Sequence, residues 1–184
     1  IWIDAVYKPR EKDSTMKLYL FTDQFPYGPG EESFIVPELE KLAAVFDATI
    51  VSQLEIPNES VEQVTFDLPE GITSIHIQPP SFISLALHSL KAPFSKLFRK
   101  EVQSIYRNGF SFTKVLHAAF EFSRGDCFRR ECKNRGVFDD CKNALYYTFW
   151  FNNECLALAI EKTMKPDIRI VSRIHGYDLY EERS

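Results

Sequence analysis

The residues best suited to chemistry follow a short apolar segment near the end of the sequence. Ile168–Ser172 is a predicted strand, and Arg173 and His175 come directly after it. Side chains two positions apart point to the same side of an extended chain, so a guanidinium and an imidazole are aimed together. Such a pair can clamp a sugar hydroxyl or a phosphate, and Asp178 is placed to orient a neighbour or to cap a following helix. A purely structural role is the alternative for the histidine.

A second candidate site is a turn rich in glycine and proline early in the chain. Residues 25–31 read FPYGPGE and open onto a predicted helix. Gly28 and Gly30 let the backbone approach a ligand closely, and the free N–H groups of a helix N-terminus attract phosphate. Glu31 and Glu32 would repel a phosphate there, which makes a sugar hydroxyl an alternative ligand. A tight turn selected only for its geometry is the simpler interpretation.

Other reactive side chains give weaker signals. The aromatic residues at 146–151 continue a strand and are expected in the core, except Trp150, which sits at the strand end and is a candidate for substrate contact. The cysteines at 127, 132, 141 and 155 form no CxxC pair, so core packing is expected rather than zinc. The histidines at 76, 88 and 117 show no partner. No Ser-His-Asp, HExxH or paired-carboxylate pattern is present, and no metal site is predicted.

The apolar pattern predicts alternating strands and helices. Strands are predicted at residues 17–22, 48–52, 61–68, 72–78, 144–150 and 168–172. Helices are predicted at residues 31–46, 82–107, 110–123, 126–143 and 153–164, with breaks at Gly109 and Gly125 and a kink or interruption at Pro93. The initial order of strand, turn, helix and strand is a βαβ unit. The predicted fold class is therefore α/β: a single Rossmann-like domain with a mostly parallel sheet and helices on both faces.

Parallel strands would bring the candidate residues to one edge of the sheet. Open α/β sheets bind their ligands beyond the carboxyl ends of their strands, near the switch in strand order. Three segments follow strands and should meet there: residues 24–31, 150–154 and 173–178. We expect the strands that begin at Leu18 and Ile168 to lie side by side in the same direction, with Gly30 and His175 on a shared rim.

Length, composition and charge restrict the function. With 184 residues, 45% of them hydrophobic, the chain is long enough for one domain with its own core. The net charge of −4 argues against a nucleic-acid partner. Residues 16–80 carry a net charge of −9 and residues 81–135 carry +7. The cationic segment predicts an anionic substrate, a membrane surface or merely solvent-exposed helices; peripheral membrane contact is expected within residues 87–107, where cations alternate with Leu and Phe.

The ends of the chain and its thiols bear on location. No run reaches the roughly 20 apolar residues of a membrane span, and the first residues show no signal-peptide pattern. Residues 1–15 precede Met16 and are expected to be an extension outside the fold. Four cysteines in a chain of this length favour reduced thiols, hence a cytoplasmic location, with membrane association as an option.

Two segments resemble a known family. Residues 16–52, with FPYGPGEESF at 25–34 and PEL at 37–39, look like the start of a bacterial family 4 glycosyltransferase. Residues 147–184, with SRIHGYDLYEER at 172–183, look like the end of the same N-terminal domain. The resemblance covers both ends of residues 16–184, and the segment between them is generic.

The resemblance implies a GT-B fold, in which two Rossmann-like domains face a cleft. Residues 16–184 would be the N-terminal, acceptor-side domain, and a C-terminal domain outside this chain would bind the nucleotide-sugar. Such enzymes transfer the sugar to a glycan or lipid-linked acceptor with retention of anomeric configuration and without a bound metal or further cofactor. Half of such an enzyme should be inactive alone, since most of the transition-state electrostatics would be missing.

The resemblance also assigns roles to residues. His175 matches the family's histidine that reaches the donor sugar, and it is the predicted catalytic residue. Gly28 and Gly30 match the turn that lines the cleft. The remaining predicted substrate-binding residues are Glu31, Arg173, Asp178 and Trp150. The competing hypothesis is a flavodoxin-like binding or regulatory module without transferase activity, which tight flavin binding would favour.

Overall fold

A computed structural model of the chain describes residues 16–28, 30–53 and 66–174. Five strands form one sheet in which all neighbours run parallel. They are β1 (Lys17–Thr22), β2 (Asp47–Ser52), β3 (Thr73–His76), β4 (Ala144–Thr148) and β5 (Arg169–Ser172). Their spatial order is β3-β2-β1-β4-β5, so the sheet switches direction of growth between β1 and β4. The predicted α/β, Rossmann-like fold class is confirmed.

Five α-helices connect the strands within the described ranges. They are α1 (Glu32–Ala43), α2 (Phe82–Ser89), α3 (Lys96–Arg107), α4 (Phe112–Asn134) and α5 (Asn153–Met164). Short 3-10 turns lie at Ala92–Phe94 and Cys141–Asn143. Helix α1 packs on one face of the sheet, while α5 and the second half of α4 pack on the other.

Strand β1 supplies the centre of both cores because its side chains alternate between the two faces. Leu18 and Leu20 pack with α1, and Tyr19 and Phe21 pack with α4 and α5. Burying one such side chain contributes about 1.5–3 kcal/mol. The continuous apolar run that predicted this strand is thus explained by burial on both sides.

Helix α4 corrects the predicted break at Gly125. The predicted helices at 110–123 and 126–143 form one helix that ends at Asn134. A Cβ at Gly125 would lie only 2.9 Å from Cγ of Leu156 on α5. The glycine therefore serves close packing between two helices, and this contact offsets its low helix propensity.

The predicted helix at 82–107 is interrupted, as expected from Pro93. The proline lies in the first 3-10 turn, between α2 and α3. The predicted break at Gly109 is also confirmed, since this residue has a φ of +99° between α3 and α4. Of the predicted strand at 61–68, residues 61–65 lie outside the described ranges and residues 66–68 are not in a strand.

The expected adjacency of the first and last strands is wrong. β1 and β5 run in the same direction, but β4 lies between them and pairs with both. The carboxyl ends of all three strands still lie along one edge. The four cysteine thiols are free: Cys132 is buried in the core and the other three are half-buried.

Helices α4 and α5 are joined by buried charges. Arg129 donates to Asp126 Oδ1 from Nε and from a terminal nitrogen, at 2.9 and 2.8 Å, and to Glu161 Oε2 at 3.1 Å. Burial acts to raise the pKa of Asp126, but hydrogen bonds from Arg130 and then from Arg129 hold it below its usual range. Removing one member of such a buried set leaves the others without compensation.

Candidate functional site

The loops after β1 and β4 meet at the carboxyl edge of the sheet, as predicted. Trp150, which follows β4, donates its indole N–H to Glu31 Oε1, and Asn152 donates to Asp23 Oδ1. Arg173, the first residue after β5, lies at this edge, because its backbone N–H donates to the Thr148 carbonyl at 3.0 Å.

Glu31 shapes the turn that follows β1. Its carboxylate accepts from the backbone N–H groups of Gln24 at 2.6 Å, Phe25 at 2.8 Å and Asp23 at 3.3 Å, in addition to the indole of Trp150. The residue is only 6% exposed. Both carboxylate oxygens are thus engaged within the protein, and Glu31 holds the turn in place.

Three further N–H groups of the turn also have internal partners. Those of Tyr27 and Gly28 donate to the Gln24 carbonyl at 2.8 and 2.9 Å. That of Gly30, at a φ of +109° that favours glycine, donates to Glu32 Oε2 at 2.7 Å. Gly28 is buried, whereas Gly30 is exposed. In this conformation the turn offers a phosphate few donors, which favours the sugar-hydroxyl alternative.

Three carboxyl groups from three separate elements come together beneath this turn. They belong to Asp23 after β1, Glu31 before α1 and Glu154 in the first turn of α5. Burial, together with the negative charges of Asp23 and Glu31, raises the pKa of Glu154 to about 8. Partial burial and then Glu31 raise the pKa of Asp23, while its hydrogen bond from Asn152 opposes the increase.

The raised pKa favours the protonated form of Glu154 at neutral pH. The side chain is 4% exposed, and its Oε2 has no hydrogen-bond partner among the described residues. A carboxyl group that is neutral at pH 7 avoids adding a third negative charge to the cluster. The sequence missed this group because its members are far apart in the chain; the only available signal was that Glu154 falls in the segment predicted to reach the edge.

Arg173 is held against α1 and β4. A terminal nitrogen of its guanidinium lies 2.5 Å from Glu38 Oε1, and its central carbon lies 4.9 Å from the ring centroid of Phe149. The side chain of Arg173 is 39% exposed. The ion pair and the aromatic contact orient the guanidinium, and the exposed part can still reach a ligand.

The predicted catalytic residue lies just beyond the described chain. His175 and Asp178 fall outside the described residues, so their roles stay predictions. The other predicted binding residues, Gly28, Gly30, Glu31, Trp150 and Arg173, all lie at the carboxyl edge. Trp150 is not a free stacking platform here, since its indole N–H is bonded to Glu31 and its ring stands edge-on to Phe149.

Two histidines have neighbours that the sequence did not reveal. His76 lies edge-on to Tyr27 with ring centroids 5.1 Å apart, and His88 Nδ1 lies 3.3 Å from Asp126 Oδ2. Across residues 16–28, 30–53 and 66–174, no group of three or more His, Cys, Asp or Glu side chains is arranged to hold a metal ion.

Two comparisons with known proteins give no match. Neither a scan against protein-family models nor a search of the curated proteins returns a match to this chain. The class is defined by its fold alone: a five-stranded parallel α/β domain of Rossmann-like order, with polar side chains at the carboxyl edge beside the switch in strand order. In the part of the chain that the structure describes, no helix is long and apolar enough to span a bilayer.

Proposed function

We propose that this chain is the N-terminal, acceptor-side domain of a GT-B glycosyltransferase, which transfers a sugar from a nucleotide-sugar to a glycan or lipid-linked acceptor with retention. One observation carries the proposal. The two segments that resemble the family, after β1 and after β5, leave the same edge of the sheet on either side of β4. Ligands of such sheets bind at that edge.

The hydrogen bonding of the first turn supports binding of the acceptor substrate rather than binding of a phosphate. Its N–H groups are bonded internally to the Glu31 and Glu32 carboxylates and to the Gln24 carbonyl. A phosphate, which only accepts here, must find its donors elsewhere, whereas a sugar hydroxyl can donate as well as accept. The nucleotide phosphates would then be bound by cations and N–H groups of the second domain.

In this proposal His175 contacts the donor sugar and Arg173 positions the segment that carries it. The anchoring of Arg173 by Glu38 and Phe149 fixes the chain two residues before the histidine. A reacting group must be held within a fraction of an ångström for full activity, so this anchor supports the role. Closure of the second domain over the edge would complete the site and exclude water.

The flavodoxin-like alternative has less support. Flavodoxin-like sheets have the strand order 2-1-3-4-5. The order here is β3-β2-β1-β4-β5. A binding module with the observed order remains the second candidate, and nucleotide turnover separates it from a transferase.

The test uses the full-length protein and a panel of nucleotide-sugars with a water-soluble glycan acceptor. We expect His175→Ala to lower kcat by about a hundredfold or more, as loss of a transition-state contact does. Arg173→Ala should lower kcat less, by about tenfold, because positioning is only impaired. Arg169→Ala is the matched control: it removes an exposed arginine from the opposite end of β5 and should keep the wild-type rate.

A folded His175→Ala protein with the wild-type kcat would contradict the assignment of that residue. The full-length protein could also release no nucleoside diphosphate from any donor and yet bind flavin tightly. That result would reject the transferase proposal in favour of the binding module.

A further inference from the structure

Helix α2 turns its polar side chains toward the protein and, apart from the buried Leu85, its apolar side chains toward solvent. Its inward polar residues have partners on α4: Ser89 Oγ lies 2.8 Å from Ser123 Oγ, and His88 is paired with Asp126. Its outward side carries Leu87 and Leu90, which are 58% and 73% exposed. Phe82, Ile83 and Ala86 complete that side. A helix on a water-exposed surface normally has the reverse arrangement.

The first half of α4 extends this apolar surface. Phe112, Leu116 and Phe120 are exposed there. A groove of about 620 Å³ runs between α2 and α4, and its walls are almost entirely apolar. We define the apolar face by its most exposed members: Phe82, Ile83, Leu87, Leu90, Phe112 and Leu116. Exposed apolar surface of this extent on one side of a molecule marks an interaction site.

The apolar face lies at the same end of the molecule as the candidate site. α4 runs parallel to α5, because Gly125 packs on Leu156 and, further along both helices, Arg129 bonds to Glu161. The first residues of α5 follow β4 at the carboxyl edge of the sheet. The part of α4 before residue 121 therefore projects beyond that edge. Helix α3 packs on this part, and α2 lies along α4 on both sides of residue 121.

Cations adjoin the apolar face. Residues 81–120 carry six Lys and Arg side chains and one acidic residue, Glu101. The exposed side of α3 carries four of the six, and Lys91 lies beside the exposed Phe94 in the turn between α2 and α3. Within the described ranges, these six form no ion pair: they are Lys91, Lys96, Arg99, Lys100, Arg107 and Lys114.

The structure changes the membrane contact expected from the sequence. Phe98, one of the apolar residues expected to alternate with cations at the surface, is 7% exposed and packs on Phe122 in a small core. Leu97 packs against the same core. Leu87, Leu90 and Phe94 are exposed as expected. Further exposed apolar side chains lie outside residues 87–107, at the start of α2 and on the first half of α4.

We propose that α2, α3 and the first half of α4 dock on an anionic lipid bilayer. The apolar face enters the interfacial region, and the cations of α3 and of the adjoining turn meet the headgroup phosphates. Binding of this kind scales with buried apolar area and with attraction to anionic lipid. A second copy of the chain fits the same surface poorly, since a two-fold contact would bring two sets of unpaired cations together. The proposal does not depend on the transferase function.

The test is co-sedimentation of the full-length protein with vesicles. One set contains equal parts phosphatidylcholine and phosphatidylglycerol, and the other contains phosphatidylcholine alone. We expect binding to the anionic vesicles at low ionic strength and a fall of about tenfold or more at high ionic strength or without the anionic lipid.

Two double variants separate the apolar and the ionic contributions. Leu87→Ser with Leu90→Ser and Arg99→Glu with Lys100→Glu should each lower the partition coefficient about tenfold or more, since each cation contributes severalfold and each leucine more. Their matched controls are Met164→Ser, an exposed apolar residue at the end of α5, and Lys133→Glu with Lys142→Glu near the opposite edge. The controls should bind as wild type does, and circular dichroism checks that every variant is folded.

Three results would overturn the proposal. One is wild-type protein that stays in solution with the anionic vesicles. Another is a folded Leu87→Ser and Leu90→Ser variant that binds as wild type does. The third is a dimer of the wild type, seen by sedimentation velocity, that this variant dissociates, because a second copy would then cover the apolar face. None of these results depends on whether sugar is transferred.

Discussion

The two ends of the α4–α5 pair differ in the burial of their phenylalanine rings and in the partners of their buried glutamates. At the inner end, which packs on the sheet, Phe128 is 1% exposed and Glu161 is paired with Arg129. At the outer end, which reaches the carboxyl edge, Phe112 is exposed, and Glu154 is buried with no cation among the described residues bonded to it. The inner end stabilises the fold. The outer end instead carries an exposed ring that a partner could cover and a buried carboxyl group that a proton neutralises.

The largest difference between the two ends should appear when one aromatic ring is removed from each end of α4. Phe128→Ala should lower the free energy of unfolding by about 4 kcal/mol, because it deletes a buried ring and leaves a cavity. Phe112→Ala should change it by less than about 0.5 kcal/mol, because that ring is already in solvent. Urea unfolding of both variants provides the measurement. Equal losses would show that the outer end is part of the core.

A pH titration tests the buried carboxyl group of Glu154 at the outer end. The folded protein keeps the Glu154 proton up to a pKa of about 8, whereas an unfolded glutamate loses it near 4.5. Between these pH values the folded state binds more protons than the unfolded state, so the free energy of unfolding falls as pH rises. The contribution of Glu154 to this fall should be on the order of 3 kcal/mol.

Comparison with Glu154→Gln isolates that contribution. The difference in unfolding free energy, variant minus wild type, should grow in favour of the variant from pH 5 to pH 8, roughly the window between the two pKa values. Glu40→Gln, an exposed position on α1, is the control and should show no such trend. A difference that does not change with pH would mean that Glu154 is ionised in the fold.

The smallest effect concerns the junction between the two ends. Gly125→Ala gains helix propensity but brings a methyl group into contact with Leu156, so we expect a net loss of about 1 kcal/mol. In a Leu156→Ala background the contact is absent, and Gly125→Ala should become neutral or stabilising by up to about 1 kcal/mol. The double-mutant cycle in urea checks this. A loss that persists in that background would assign the cost to the backbone instead of the contact.

The sheet was predictable because burial on both faces leaves a pattern within one short segment. β1 and β4 are continuous apolar runs, and the turn and helix after β1 define a parallel βαβ unit. Gly125 was misread for the opposite reason. Its helical state depends on Leu156, which lies 31 positions further along the chain, and no local pattern carries that information.

The candidate site was predictable only as a location. Parallel strands bring the segments after β1, β4 and β5 to one edge, and the described parts of these segments lie there. The partners within the site were not predictable, because the carboxyl groups of Asp23, Glu31 and Glu154 meet only through tertiary packing. Glu31 was expected to bind substrate, yet its carboxylate is bonded to backbone N–H groups of its own turn.

The carboxylate of Glu31 gives the turn after β1 a built-in counter-ion. Turns at helix N-termini commonly take an anion from solution, whereas this one carries its own at the high effective concentration of a tethered group. A dissolved anion must compete with that group to enter. The consequence is that this turn selects against small dissolved anions such as inorganic phosphate.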